Sequence, residues 1–210
     1  MSADAPPVLE IVLATGNRGK LREIRQILVD LPVRARALSD FPDVGEIAED
    51  GETFRANAEQ KARAVHARTG LLAVADDSGL CVDRLGGAPG VRSARYAGEN
   101  ATDAENNRKL LAAMEGVPAG NRGAAFVCCV CAFPVEGGPA FLEGECRGVL
   151  LAAPRGDNGF GYDPLFLYPE EGLTFAELPA AIKNRVSHRG RAFAGLPAVL
   201  ERVIAGRGTR

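Results

Sequence analysis

Residues 8–28 read VLEIVLATGNRGKLREIRQIL, and the succession of patterns inside that stretch decides the fold class. Residues 8–14 are a short run rich in Val, Ile and Leu, the composition of a buried strand. Leu21, Ile24, Ile27 and Leu28 then recur on one helical face. Between strand and helix lies the glycine-containing turn TGNRGK. Strand, turn and helix in that order open a sheet with helices packed against it.

Further along, residues 53–69 predict a helix with Phe54, Ala58, Ala62 and Val65 as its buried stripe and Gly70 as its left-handed stop. His66, beside Arg63 and Arg68, reads as a surface residue of that helix. Residues 71–75 (LLAVA) predict a buried strand that stops at Asp76, Asp77, Ser78 and Gly79. Residues 86–100 hold four glycines and a proline and read as a long ordered loop. Thr102 and Glu105 have capping-box spacing ahead of a helix carrying Leu110, Leu111 and Met114. Residues 124–133 and 140–147 flank the turn-forming VEGGP and predict an antiparallel hairpin. Residues 154–164 form a second glycine-dense loop, and Ser187 caps a C-terminal helix that Gly195 and Pro197 kink or divide. Parallel and antiparallel strands with intervening helices make an α/β or α+β fold, expected as two lobes around a cleft within one domain spanning 1–210. Residues 1–7 read as a loose extension.

The chain has 210 residues, 46% apolar and 25% charged, a composition that argues against disorder. Its 25 basic and 27 acidic residues give a formal net charge of −2, which disfavours non-specific nucleic-acid binding. The longest apolar run, residues 124–133, is too short to cross a bilayer. No basic stretch followed by an apolar one opens the sequence, so no secretory signal is expected and the protein reads as cytoplasmic. Five cysteines read as reduced, buried thiols, with Cys129 and Cys131 on one strand face and Cys128 on the other. No Cys/His spacing matches a zinc site.

Four constellations carry chemistry. The turn TGNRGK leads into a helix N-terminus, where backbone N–H groups favour phosphate and Lys20 and Arg18 add charge; a plain strand-to-helix turn is the alternative. It matches neither the Walker A pattern nor GxGxxG. Adjacent carboxylates Asp76 and Asp77 repel each other, which a bound Mg²⁺ would offset, with the acidic cluster Glu46, Glu49, Asp50 and Glu52 as a source of a second ligand. A solvated turn or a helix cap is the alternative there. NGFGYDP holds Phe160, Tyr162 and Asp163 among glycines, suited to stacking on a nucleobase or to anchoring a hairpin corner. IKNRVSHRG gathers Lys183, Arg185, His188 and Arg189, donors for an acceptor-rich ligand or an exposed basic helix start.

Taken in order, ATGNRGK, ADDSGL, LGGAPGVRSARYAG, GFGYDP and SHRG closely resemble the inosine triphosphate pyrophosphatase family, over residues 8–193. The resemblance implies hydrolysis of ITP, dITP and XTP to the monophosphate and pyrophosphate, with Mg²⁺, by a homodimer. It implies a long mixed central sheet with flanking helices and an active site between two lobes. Carried over by position, Thr15, Gly16, Asn17, Arg18, Gly19 and Lys20 contact the nucleotide, and Lys61 reaches the phosphates. Asp77 is the catalytic carboxylate and a metal ligand, Ser78 touches substrate, and Glu49, or else Asp50, is the second ligand. Phe160, Gly161, Tyr162, Asp163, Lys183, His188 and Arg189 form the base-recognition wall. Donors from His188 and Arg189 would pair with the O6 acceptor of hypoxanthine or xanthine and reject the N6 donor of adenine. A hydrolase for other modified nucleotides and a non-catalytic nucleotide sensor are the competing readings.

Overall fold

The opening apolar run forms β1 (Leu9–Leu13), and the amphipathic segment behind it forms α1 (Arg18–Ile27), with Ile24 and Leu28 buried against the sheet. The computed structural model describes residues 8–45 and 47–207; the expected extension 1–7 and Glu46 lie outside them. Among the described residues β1 is joined by β2 (Val33–Ala37), β3 (Leu72–Val82), β4 (Gly123–Val135), β5 (Gly138–Leu150), β6 (Phe166–Tyr168) and β7 (Leu173–Thr174). They make one sheet in the order β2-β1-β3-β4-β5-β6-β7. β1 runs parallel to β2 and β3, and every other pairing is antiparallel. With α2 (Phe54–Thr69), α3 (Asp103–Ala113), α4 (Ala180–Val186), α5 (His188–Phe193) and α6 (Leu196–Arg207), this is the mixed sheet with flanking helices that the sequence predicted.

The strand expected to end at Asp76 runs on to Val82, 11 residues in all, so both carboxylates sit in its middle. That correction explains the lobes. Leu72 and Val74 pack with Cys128, Val130 and Ala132 under α1, α5 and α6, while Ala73 and Ala75 pack with Cys129 and Cys131 under α2. Beyond the polar break, Leu80 and Val82 join a separate core with Leu110, Met114, Phe126 and Tyr162. Three apolar cores therefore share one long strand pair, one on each face of its first half and one beyond, and residues 76–79 belong to none of them. Strand alternation sends Asp76 to the α1 and α5 side and Asp77 to the α2 side.

Local chemistry sets the helix ends. Thr53 Oγ1 accepts from the Ala56 N–H at 3.1 Å, and Gly70 closes α2 in the left-handed region at φ 68°. Thr102 and Glu105 form the expected capping box of α3. Ser187 caps α5, and the chain breaks after Phe193 and resumes as α6, the expected division. The short helix α4 was not anticipated, nor was β2, whose alternating Arg and Ala residues leave it half exposed at the sheet edge. His66 is not a surface residue: half-buried, it places Nδ1 2.8 Å from the Leu71 carbonyl and its ring edge-on to Phe133.

Gly144 on β5 brings α5 into place. A Cβ there would collide with the His188 carbonyl oxygen and the Ala192 nitrogen, so only glycine lets the backbone of α5 lie directly on the sheet. That contact is what buries His188 and Arg189 between helix and strands.

Candidate active site

Asp76 and Asp77 are neighbours with opposite surroundings. Asp76, almost fully buried, accepts an ion pair from Lys20 Nζ at 3.0 Å, one from Arg189 Nη2 at 3.5 Å and the Ser78 hydroxyl at 3.2 Å. Burial alone would raise its carboxyl, but Lys20, Arg189 and Lys61 outweigh burial and hold it well below the ordinary carboxylate range. Lys20 answers in kind: burial alone would lower its ammonium, but Asp76 together with Asp77 outweighs burial and Arg189 and raises it.

Asp77 faces α2. Asn57 Nδ2 donates to its Oδ2 at 2.9 Å, the Ser78 N–H donates to Oδ1 at 3.0 Å, and Lys61 Nζ stands 3.8 Å from Oδ1. Here burial wins over Lys61 and Lys20, and the Asp77 carboxyl is raised. Lys61 Nζ also donates to the Asp76 carbonyl at 2.7 Å and to Glu49 Oε2 at 3.2 Å, so Glu49 and Asp77 share one ammonium. Asp50 instead accepts from Gln60 on the exposed side of α2. Asn57 was missed by sequence reasoning. Its Oδ1 accepts the Gly51 N–H at 2.8 Å while its amide nitrogen holds Asp77, tying the Glu49 segment to the carboxylate.

The turn before α1 departs from the expected amide cradle. Asn17 Oδ1 takes the N–H groups of Gly19 and Lys20 at 2.8 and 3.0 Å, and Thr15 Oγ1 takes that of Asn17 at 3.2 Å. Those amides are engaged by the cap, which leaves the ammonium groups as the main anion-facing charges. Thr15, Gly16, Asn17 and Lys20 line one cleft together with Glu49, Lys61, Asp77, Ser78 and Arg95. Arg18 is exposed and lines neither this cleft nor its neighbour.

Asn17, Lys20, Ser78 and Ala94 also line a second cavity, so the two form one continuous depression. Its walls are Phe126, Phe160, Tyr162, His188 and Arg189, with Asp163 and Lys183 below. His188 stacks on Phe126 with centroids 4.7 Å apart and planes 13° from parallel. Burial, then Arg189 and Lys183, push its imidazole well below 6.5, so it is neutral at pH 7. Arg189 donates to Glu23, to the Ser78 hydroxyl at 2.9 Å and to Asp76. His188 Nδ1 and Arg189 Nε are buried with no partner in the protein, the condition of polar atoms that await a ligand. Asp76 Oδ1 is in the same state.

The aromatic loop divides its labour. The Phe160 ring lies over the first turn of α1, where a Cβ on Gly19 would come within 2.6 Å of it. The Tyr162 hydroxyl is committed to the Ser93 carbonyl at 2.9 Å, and its ring belongs to the core beyond the polar break. Tyr162 thus anchors the loop while its ring lines the slot. Asp163 is buried and binds the Phe160 N–H and Lys183 Nζ at 2.9 and 2.6 Å, and Lys183 also meets Glu23 at 2.6 Å. Glu23, which sequence reasoning did not single out, joins α1 to both α4 and α5.

The buried imidazole has a consequence for stability. An unfolded histidine takes up a proton below about pH 6.5, while the folded one resists it. Folding therefore loses stability as pH falls from 7 towards 5, by up to about 1.4 kcal/mol per pH unit from this residue. Denaturant titrations of the native chain and of His188→Gln check this: the native chain should lose its advantage on acidification. A pH-independent difference would contradict it.

The chain was compared with known proteins. The Ham1 family model matches residues 11–199. A dITP/XTP pyrophosphatase of Geobacter sulfurreducens is 56% identical over 182 residues, covering 87% of this chain and 92% of that protein. One of Geobacillus kaustophilus is 48% identical over 200 residues, covering 95% and 98%. Among solved structures, a HAM1 protein from Coxiella burnetii superposes with a TM-score of 0.83 at 46% identity, covering 92% of this chain and 98% of that one.

Proposed function

The chain belongs to the Ham1 family, and from that premise we infer that it hydrolyses noncanonical purine nucleoside triphosphates, ITP, dITP and XTP, to the monophosphate and pyrophosphate. It is a hydrolase acting on acid anhydrides. The observation that carries the reading is the continuity of the site: Lys20 and Ser78 belong both to the cationic, carboxylate-bearing cleft and to the aromatic slot. A ligand with a polyanionic tail and a planar head fits both halves at once.

Phosphoanhydride hydrolysis needs charge neutralisation and an oriented water more than covalent catalysis. Lys20, Lys61 and Arg95 supply positive charge along the cleft. Asp77, with its proton affinity raised by burial, is suited to orient the attacking water and accept its proton. Glu49 and Asp77, carboxylates that converge on Lys61, are a donor set suited to a hard cation. No group of three metal-ligating side chains gathers among the described residues, and Mg²⁺ in nucleotide sites takes one or two carboxylates and completes its shell with phosphate oxygens and water. Bound there, Mg²⁺ would neutralise charge on the phosphates. Asp50 is the weaker candidate because its carboxylate is turned to Gln60.

For the base, Arg189 Nε–H and the neutral His188 ring are the polar groups left to meet the O6 edge. Adenine, with a donor at that position, leaves Arg189 Nε–H, and His188 in the tautomer protonated at Nδ1, buried and unpaired at about 1–3 kcal/mol each. The proposal extends to a homodimer working in the cytoplasm; among the described residues no helix is long and apolar enough to cross a membrane.

A substrate panel with Mg²⁺, reading monophosphate and pyrophosphate together, tests the reading. Pyrophosphate release from dITP and XTP is expected to exceed that from ATP by at least about 100-fold in kcat/KM, the scale of two lost hydrogen bonds. Equal rates on all purine triphosphates would contradict it, and binding without turnover would favour the sensor.

A further inference from the structure

We infer that Asp103 and Asn107 on α3 are positioning residues that clamp the Phe160–Gly161 backbone and so set the width of the base slot. The inference rests on the pyrophosphatase reading and adds a specificity element outside the loops that carry it. Phe160 is the wall of the slot, and its other side faces a separate cavity lined by Gly19, Gln26, Asn158, Phe175 and Leu178. The ring touches the first turn of α1 at Gly19 but borders a cavity on each of two sides, so that contact alone does not fix it. Its backbone has to hold it.

All four polar backbone atoms of the dipeptide are engaged. The Phe160 N–H donates to Asp163 at 2.9 Å, and the Phe160 carbonyl accepts from the Asp163 N–H at 3.2 Å. The Gly161 N–H donates to Asp103 Oδ2 at 2.7 Å, and the Gly161 carbonyl accepts from Asn107 Nδ2 at 3.0 Å. The first pair is internal to the loop. The second comes from α3, 54 and 58 residues earlier in the chain. Asp103 and Asn107 are four residues apart and share one helical face, so they grip a single residue from both ends. The helix is itself fixed: Asn106 accepts from the Ala97 N–H at 2.7 Å and donates to the Ala94 carbonyl at 3.1 Å.

Release of either grip lets the ring tilt into the cavity behind it. The slot then binds its base less tightly and less selectively, while the phosphate cleft is untouched. Asp103 also lines the slot, whereas Asn107 does not, and that difference separates a clamp from a direct contact.

Steady-state kinetics on dITP and ATP, with thermal unfolding as the folding control, test the clamp in Asp103→Ala, Asp103→Asn and Asn107→Leu. Expected are a KM for dITP raised about tenfold in Asp103→Ala and Asn107→Leu, kcat within about threefold of the native value, and a reduced preference for dITP over ATP. Asp103→Asn, which keeps an acceptor oxygen, should recover most of the loss. A lowered melting temperature with unchanged KM and preference in both disruptive variants overturns the clamp, as does a shift confined to Asp103→Ala. A native chain inactive on dITP overturns the underlying reading and the clamp with it. An active native chain with unaltered variants overturns the clamp alone.

Discussion

Asp77→Asn is expected to slow dITP turnover by about 10²–10⁴-fold while leaving the fold and its melting temperature nearly unchanged. The sign of the carboxyl's shift decides the second half of that statement. Asp77 is raised because burial outweighs its attraction to Lys61 and Lys20, so its negative charge is a net burden on the folded state. An amide removes that charge, keeps the shape and still accepts from Asn57 Nδ2. What disappears is the proton acceptor beside Glu49 and Lys61. Single-turnover kinetics alongside a thermal melt check the pair of outcomes. Near-normal turnover would take Asp77 out of the chemistry, and an unfolded variant would make its role structural.

The adjacent residue should behave in the opposite way. Asp76→Ala is expected to destabilise the protein by about 3–5 kcal/mol, because it strands the buried charges of Lys20 and Arg189. For a chain of this size that corresponds to a drop of about 10 °C or more in Tm. The linkage runs with the usual carboxylate sign. Asp76 is depressed in the folded state, so its contribution is complete above the unfolded value near 3.9 and is lost as pH falls through the folded one. Differential scanning calorimetry checks the size. A change under about 1 kcal/mol would mean that Lys20 and Arg189 do not depend on this carboxylate.

The contrast shows where sequence reading reached and where it stopped. β1, α1, α2, the capping box of α3 and the β4–β5 hairpin were legible because each is written in local periodicity and terminal residues such as Gly70 and the Thr102–Glu105 pair. β3 was cut short at Asp76 because a strand interior with two acids looks unfavourable in isolation. Its compensation comes from Lys20 and Arg189, 56 and 113 positions away, and from Lys61 on another helix. Glu23 and Asn57 were invisible for the same reason: each is an ordinary polar helix residue until folding buries it between elements. Glu49 stood out from the acidic cluster only through resemblance; the fold then separates it from Asp50 by which side of α2 each faces. Tyr162 was grouped with Phe160 because both are aromatics among glycines, yet one hydroxyl reaching Ser93 makes it an anchor.

The central claim is that one ligand bridges the Lys20–Asp77 cleft and the Phe160–His188 slot. A crystal structure with a non-hydrolysable inosine triphosphate tests it most directly. The account predicts a phosphate oxygen within about 3 Å of Lys20 Nζ, hydrogen-bond reach, with the hypoxanthine ring against Phe160 and its O6 edge towards Arg189. A base lying outside the aromatic slot, or a tail directed away from Lys20 and Asp77, would contradict it.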